Sequence, residues 1–291
     1  MIESSAKVLV GTVLYVAVLW AARRNPRAAG MMLTFPTLNG ITMLVTQPSE
    51  LSPIVGTMLL IPFLNGLFCA LYLSGFDRAV RAGFSPRAAS GLLIACVAVV
   101  WLTTGWVISQ NRWNVPADDR NAYALVLMLG GLLLTWLLPV RRAKASQDAP
   151  PVRLGHLLDR NRIRIGLFAI ALAAVLIVDK IAHSPAVVGL LSALPLIAFF
   201  SLHTLASDPE QAPSARREEL ATMANGVWFG PAVAVVFIVC FWRWLALLAT
   251  RVEGAGYLAV GVPSLLIGWS LCLAAIWLCE RLLRRAASPA A

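Results

Sequence analysis

The stretch PTLNG at residues 36–40 has a near copy, PFLNG, at residues 62–66. Both copies lie inside apolar segments of about 20 residues, the length that an α-helix needs to cross the hydrocarbon core of a membrane. Within a helix, proline removes one backbone hydrogen bond and its ring clashes with the preceding turn. In lipid, the carbonyl that loses its partner needs a neighbouring helix, a hydroxyl or a water. The two copies therefore predict kinked membrane helices with polar backbone at depth.

The composition of the whole chain is that of a helical membrane protein. Of the 291 residues, 59% are hydrophobic and 13% are charged, whereas soluble domains carry about 25% charged residues. Apolar runs recur along the whole length, and the alternating pattern of a β-barrel is absent. The predicted fold class is therefore all-α, a polytopic membrane helical bundle. Its spans, about nine by this length criterion, lie at residues 7–22, 28–46, 52–75, 88–109, 122–140, 163–179, 186–206, 220–249 and 255–279.

The basic residues predict how these spans are oriented. The net charge of +10 comes from Arg and Lys in short loops between the apolar segments, where they set topology, so nucleic-acid binding is not expected. One alternating set of loops is much the more basic, with clusters at residues 23–27, 78–87, 141–164, 216–217 and 281–285. The other set holds only Lys7, Arg112, Arg120, Lys180 and Arg251. This asymmetry predicts a multi-pass protein of the bacterial inner membrane, with its N-terminus outside and its C-terminus in the cytoplasm.

The chain divides into two membrane halves. We expect a first half with a connecting span at residues 1–140, a basic cytoplasmic linker at residues 141–162, and a second half at residues 163–291. Residues 25–36 align without a gap with residues 184–195, and two prolines and one glycine coincide. Because the connecting span adds one crossing, the two four-helix units would have opposite orientation, as in many secondary transporters. The alternative is that Asn or Ser followed by Pro is simply an ordinary helix start.

Four residues of the two pentapeptides are candidates for a substrate-binding site. From the predicted span ends, Asn39 lies about 16 Å and Asn65 about 20 Å deep, close to the middle of a core that is about 30 Å thick. Pro36 and Pro62 would bring broken helices to the same depth, which suits a site formed by backbone and amide groups. The alternative is that the two asparagines only hold neighbouring helices together.

Two titratable or charged residues within the spans complete the candidate set. His203 in the seventh span is either a proton carrier or a histidine satisfied by helix packing. Arg243, flanked by Trp242 and Trp244, either contacts an anion or extends its side chain to the membrane interface. No motif for a metal, a cofactor or a hydrolytic active site is present, so no cofactor and no enzymatic activity are predicted.

The phrase NPRAAG at residues 25–30, followed by Phe35 and Pro36, resembles the start of the second span in GlpM-like small bacterial inner-membrane proteins. The layout in two halves also looks like that of the drug/metabolite transporter superfamily, although its members usually have ten spans and both termini inside. Neither resemblance assigns a functional residue to this chain. Together they imply a bacterial inner-membrane protein that transports a small metabolite or a lipid-linked group.

The sequence leads to three functional hypotheses. The first is a secondary transporter or flippase-like permease for a small anionic or neutral polar metabolite or lipid-linked group, since no carboxylate lies near the middle of a span. The second is a non-catalytic scaffold subunit of an envelope assembly complex. The third is a lipid-modifying enzyme, which would need polar groups clustered at one interface. The expected partners are membrane lipid, the substrate, and either a second copy of the chain or another membrane protein.

Overall fold

The computed structural model describes residues 2–46, 48–111, 115–137, 154–181, 188, 191, 195–209, 211–252 and 255–286. Every regular element within these ranges is an α-helix, which confirms the predicted all-α class. The helices are α1 (Ile2–Arg24), α2 (Pro26–Met32), α3 (Thr37–Val45), α4 (Pro48–Met58), α5 (Ile61–Arg81), α6 (Pro86–Asn111), α7 (Arg120–Leu137), α8 (Leu154–Ile181), α9 (Leu196–Ala206), α10 (Pro213–Gly226), α11 (Phe229–Ala249) and α12 (Ala255–Ala286).

Among the described residues, four helical segments are long and apolar enough to cross a membrane. They are Glu50–Arg81, Pro86–Thr104, Phe229–Ala249 and Gly256–Leu282. The exposed side chains along the second and fourth are largely Leu, Val and Trp, a surface that suits lipid. These segments agree with a membrane protein, while the number of about nine spans stays a prediction. Most of the predicted linker lies outside the described residues, and its last part, from Leu154, belongs to α8.

The second predicted span is not one kinked helix but two separate helices. Helix α2 ends at Met32 and α3 begins at Thr37. Pro36 is the N-cap of α3, with φ −80° and ψ 52°, a conformation outside the helical region. The proline ring fixes φ and removes the N–H. Proline is therefore tolerated in the first turn of a helix, whereas in the interior it kinks or breaks the helix. The predicted kink is therefore a complete break.

A helix start with the same backbone geometry occurs in the second half of the chain. Pro195 is the N-cap of α9, with φ −80° and ψ 48°. Neither helix start is capped by a side chain, since proline has no hydrogen-bonding group to offer. The first backbone amides of α3 and α9 are thus left without the capping oxygen that Ser or Asn would supply.

Pro62 and Pro231 also lie at helix starts. Pro62 is the second residue of α5, after a two-residue break that ends at Leu60. Pro231 is the third residue of α11, after a similar break that ends at Trp228. The first turn of a helix lacks intrahelical partners for its N–H groups, so these prolines remove no bond there. The interruption precedes each proline instead of coinciding with it.

The three breaks after Met32, Met58 and Gly226 and the start of α9 lie between two hydrophobic cores. The first core draws on residues 61–76 of α5, 197–206 of α9 and 220–227 of α10. The second draws on residues 41–44 of α3 and 235–248 of α11. At each of the three breaks the chain therefore passes from one core to the other. We call the region between the two cores the break level.

Glycines bring two broken helices into backbone contact. A Cβ added at Gly30 of α2 would overlap the carbonyl of Met223 in α10, and one at Gly226 would overlap the carbonyl of Arg27. Gly230, one turn after Gly226, meets Thr34 in the same way. The sequence predicts that the pair Gly226 and Gly230 marks close helix packing, and these contacts confirm it.

Candidate functional site

Buried polar groups without partners surround the break in the second span. Thr34 and Trp269 are each 8% exposed. The Thr34 Oγ1 hydroxyl and the Trp269 Nε1–H form no hydrogen bond within the described residues. Leaving such a group unpaired in a buried place costs about 1–3 kcal/mol. Unpaired polar groups beside an uncapped helix start are the chemistry expected of a ligand site.

Tight packing holds this arrangement in place. The ring of Trp269, from α12, lies 6.3 Å from the ring of Phe35 between centroids. A Cβ added at Gly40 would lie 3.1 Å from Trp269 Nε1 and 3.3 Å from the ring of Phe237 in α11. Glycine at position 40 therefore lets the indole donor approach the backbone of α3 closely.

Asn39 and Asn65 are both buried, but they do not meet. Asn39 lies in α3, about 4.5 Å beyond Pro36, and Asn65 lies in α5, about 7.5 Å beyond Leu60, at 1.5 Å per residue. The two helices leave the break level in opposite directions, because α3 enters the second core and α5 the first. No hydrogen bond joins the two amides within the parts of the chain that the structure describes. The sequence-based idea of one site containing both amides is not supported by this geometry.

The side chain of Asn65 has a protein partner. Its Oδ1 accepts a hydrogen bond of 2.9 Å from the indole Nε1 of Trp101, which is 2% exposed and lies on α6. This bond joins α5 to α6 in the first core. The contact agrees with the alternative interpretation of Asn65, in which the amide holds neighbouring helices together.

His203 lies at the other end of α9 from the break level. Its Nδ1 is 2.9 Å from the hydroxyl of Ser90, and this hydroxyl is 2.6 Å from the hydroxyl of Tyr72. The imidazole therefore belongs to a chain of hydrogen bonds between α9, α6 and α5, far along α9 from Pro195. It is half-buried, and Arg87 and Arg164 are its charged neighbours.

Arg243 does not join the break level either. The side chain is exposed on α11, and its guanidinium lies 5.9 Å from the ring centroid of Trp242. This is the arrangement expected when an arginine extends along an aromatic ring toward the membrane interface. Of the six candidate residues, Pro36 and Asn39 belong to the start of α3, close in sequence to Thr34 and Gly40, while Pro62, Asn65, His203 and Arg243 lie on other helices.

A network of ion pairs, which the sequence did not reveal, closes one end of the bundle. Asp208 pairs with both Arg23 and Arg160, and Arg23 also donates to Glu219 at 3.0 Å. Both carboxylates are 5% exposed. Burial raises the pKa of the Glu219 carboxyl, while Arg23 and the hydrogen bond from Gln211 act in the opposite direction. The segment from Ser207 to Glu219 resembles a solvated loop in sequence, but Asp208 and Glu219 within it are buried and paired.

A second buried ion pair lies at the same end. Arg27 Nε is 3.6 Å from Glu280 Oε2, and the two side chains are 3% and 6% exposed. The pair ties the start of α2 to the last turns of α12. In sequence, Glu280 stands beside Arg281, which makes that neighbour the obvious ion-pair partner. The structure assigns the carboxylate to Arg27 instead. We call this end of the molecule, with Arg23, Asp208 and Glu280, the arginine-rich end.

The opposite end is held by one buried arginine. Arg120 is 2% exposed and donates to the carbonyl of Val115 at 3.1 Å and to the carbonyl of Ser52 at 2.6 Å. Its guanidinium also stacks 4.4 Å above the ring centroid of Trp242. The basic loops that the sequence places on one side of the membrane thus share one end of the bundle, and Arg120 lies at the other.

The structural role of these arginines has almost no signal in the sequence. Arg120 follows two aspartates, Asp118 and Asp119, that are exposed as expected for a turn. Nothing local distinguishes it from a solvated loop residue, because two of its partners, Ser52 and Trp242, come from α4 and α11.

No family model matches the chain, and no curated protein and no solved structure is significantly similar to it.

Proposed function

We propose that this protein is a permease of the bacterial inner membrane, with the arginine-rich end in the cytoplasm, for a small anionic or neutral polar metabolite or lipid-linked group. One observation carries the proposal: the helical chain is interrupted after Met32, Met58 and Gly226, and α9 begins at Pro195, all between two hydrophobic cores. Interrupted backbone at membrane depth is tolerated where it lines a binding site or a water-filled path. Discontinuous helices at mid-membrane are typical of secondary transporters.

The direction of the helices favours an anion. Helices α3 and α9 both begin at the break level, and neither start is capped by a side chain. The N-terminal end of a helix carries a partial positive charge and free N–H donors. Half-helix starts of this kind bind anionic substrate groups in transporters. The hydroxyl of Thr34 and the indole N–H of Trp269 supply additional donors beside the start of α3.

The matching breaks also support two structural repeats. Pro36 and Pro195 have nearly the same backbone angles, and they coincide in the alignment of residues 25–36 with residues 184–195. Inverted repeats that rock against each other would give alternating access.

Flux measurements test the permease. The purified protein is reconstituted in liposomes, and a panel of small carboxylates and phosphates is screened for uptake or for transport currents. Asn39→Ala, Thr34→Val and Trp269→Phe should each weaken the apparent affinity by about tenfold, the effect of losing one hydrogen bond to a charged group. Thr34→Val retains shape and removes an unpaired hydroxyl, so it should not destabilise the fold.

Asn121→Ala is the matched control, because this asparagine is exposed at the start of α7. Flux that is reduced equally by Asn121→Ala and Asn39→Ala would point to a general loss of protein quality. Flux that is unchanged in Asn39→Ala, Thr34→Val and Trp269→Phe would exclude the start of α3 as the site.

One observation favours the scaffold subunit as a second candidate. The amide of Asn65 is bound to Trp101, and the arginine-rich end is tied together by buried ion pairs. A rigid bundle of this kind would present its helices to a membrane partner without moving. This alternative predicts no flux of any panel compound. It also predicts that a second membrane protein copurifies with this one in a fixed ratio when a mild detergent is used.

A further inference from the structure

Helix α9 exposes a single stripe of side chains. Leu196, Phe200 and His203 are half-buried, while its other residues are buried. Residues spaced by four and then three positions lie on one face of a helix. The ring of Phe200 packs on Phe168 of α8, with centroids 5.4 Å apart, and His203 contacts Ser90 of α6. The stripe therefore lies between α6 and α8, with both helices packed on α9.

The two helices beside this stripe expose apolar side chains. On α8, Ile163, Leu167 and Ile170 are exposed by 72%, 54% and 68%. On α6, Leu92 is 53% exposed. A half-buried stripe between two helices with such surfaces suits a hydrocarbon chain. We call the stripe of Leu196, Phe200 and His203 the α9 groove.

Positive charge collects where the α9 groove reaches the arginine-rich end. The guanidinium of Arg164 is held by the carbonyl of Thr204 and the hydroxyl of Ser207, both at 3.2 Å. Arg87 is exposed in the first turn of α6 and acts electrostatically on both Arg164 and His203. The start of α6 adds the partial positive charge of a helix N-terminus.

Arg87 and Arg164 differ from neighbouring arginines in their ion pairing. Arg23 and Arg160 share the carboxylate of Asp208. Within the described residues, Arg87 and Arg164 form no ion pair with a carboxylate. Holding like charges together without a counterion is unfavourable. The complementary ligand group is an anion such as a phosphate.

We propose that an anionic phospholipid binds in the α9 groove, with its phosphate on Arg87, Arg164 and His203 and an acyl chain along Phe200 and Leu196. The continuity of the charged end with an apolar groove favours a lipid over free phosphate, which would use only the charged end. Arg164 is pre-positioned by neutral acceptors, so its positive charge remains available to the headgroup. This site is separate from the start of α3 and does not depend on transport.

Native mass spectrometry tests the site. The purified full-length protein is titrated with phosphatidylglycerol and with phosphatidylcholine in detergent, and bound lipid is counted. Each basic residue near a membrane surface contributes enough to change affinity for an anionic lipid by about fivefold. Arg87→Gln should therefore weaken phosphatidylglycerol binding by about fivefold, and Arg87→Gln/Arg164→Gln by about 25-fold. Phosphatidylcholine, which has no net charge, should bind weakly to all variants.

Arg162→Gln is the matched control, because Arg162 is an exposed arginine on the same helix as Arg164. It should retain the affinity of the unmodified protein. The Arg87 side chain is exposed, so Arg87→Gln alone tests the site even if the double variant does not fold. Equal losses in Arg87→Gln and Arg162→Gln, or no loss in either, would overturn the proposal. Displacement of bound lipid by equimolar inorganic phosphate would also overturn it, since the groove would then contribute nothing. None of these outcomes bears on flux through the start of α3.

Discussion

The helix starts at Pro36 and Pro195 have the same backbone geometry and different surroundings. Both prolines precede a short apolar helix, and their φ and ψ angles agree within a few degrees. After Pro36 come Asn39 and Gly40, beside an indole donor without a partner in the described chain. After Pro195, the position that matches Asn39 is Ala198, which is fully buried in the first core.

The difference separates what proline determines from what it leaves open. Proline fixes φ and removes one donor, so it determines where a helix stops and restarts. It does not determine which polar groups meet the freed backbone. In this protein the third residue after the proline is the buried Asn39 in the first half and the buried Ala198 in the second half. If the two halves are repeats, the ligand site lies in the first half.

The largest expected effect concerns the buried ion pair that anchors the first half. Arg27, at the start of α2, pairs with the buried carboxylate of Glu280, whereas the aligned position of the second half is Ala186. Arg27→Met removes an ion-pair partner from a buried carboxylate and should lower the free energy of unfolding by about 3 kcal/mol or more. Unfolding by denaturant in detergent micelles measures this change.

Arg217→Met provides the comparison for the buried ion pair. Arg217 pairs with Asp77 at the same end of the molecule, but its side chain is 54% exposed. Exposed pairs contribute about 0–1 kcal/mol. A double variant, Arg27→Met/Glu280→Met, should recover much of the stability, because the buried carboxylate is removed together with its partner. Equal effects of Arg27→Met and Arg217→Met would show that the first half is not anchored here.

The next effect concerns the backbone contact beside the first break. Gly226 of α10 lies on the carbonyl of Arg27 in α2, so a side chain at this position has no room. Gly226→Val should push the two helices apart and reduce stability by about 1–3 kcal/mol. Gly130→Val on α7 is the control, since nothing lies within 4 Å of a Cβ at that glycine. Equal stability of both variants in the same unfolding assay would mean that the close approach of α2 and α10 is unimportant.

The parts of this fold that were predictable from sequence are those determined locally. The apolar segments, the prolines of the breaks and the GxxxG contact of Gly226 each follow from short stretches of chain. The ion pairs of Asp208, Glu219 and Glu280 do not, because Asp and Glu between apolar segments look the same whether they are solvated or paired. Their partners are set by how distant helices pack.

The same limit explains the result for the two pentapeptides. Pro36 and Asn39, and Pro62 and Asn65, have the same spacing in sequence. The first proline is an N-cap, whereas the second lies inside the first turn of α5. The two helices then run into different cores, so similar pentapeptides lead to different environments. The lateral neighbours of the two amides were not predictable from residue counts.

The smallest expected effect asks whether Asn65 is structural. Its hydrogen bond to Trp101 should contribute about 0.6–1 kcal/mol, the usual range for a polar contact between membrane helices. The interaction energy from a double-mutant cycle of Asn65→Leu and Trp101→Phe isolates this contribution from effects of shape. A coupling near zero would mean that the bond does not stabilise the folded protein.

If Asn65 holds α5 on α6 throughout the transport cycle, these variants should lower stability and leave apparent substrate affinity unchanged, unlike Asn39→Ala. A loss of affinity as large as that of Asn39→Ala would instead place Asn65 in the binding site and contradict the separation of the two amides.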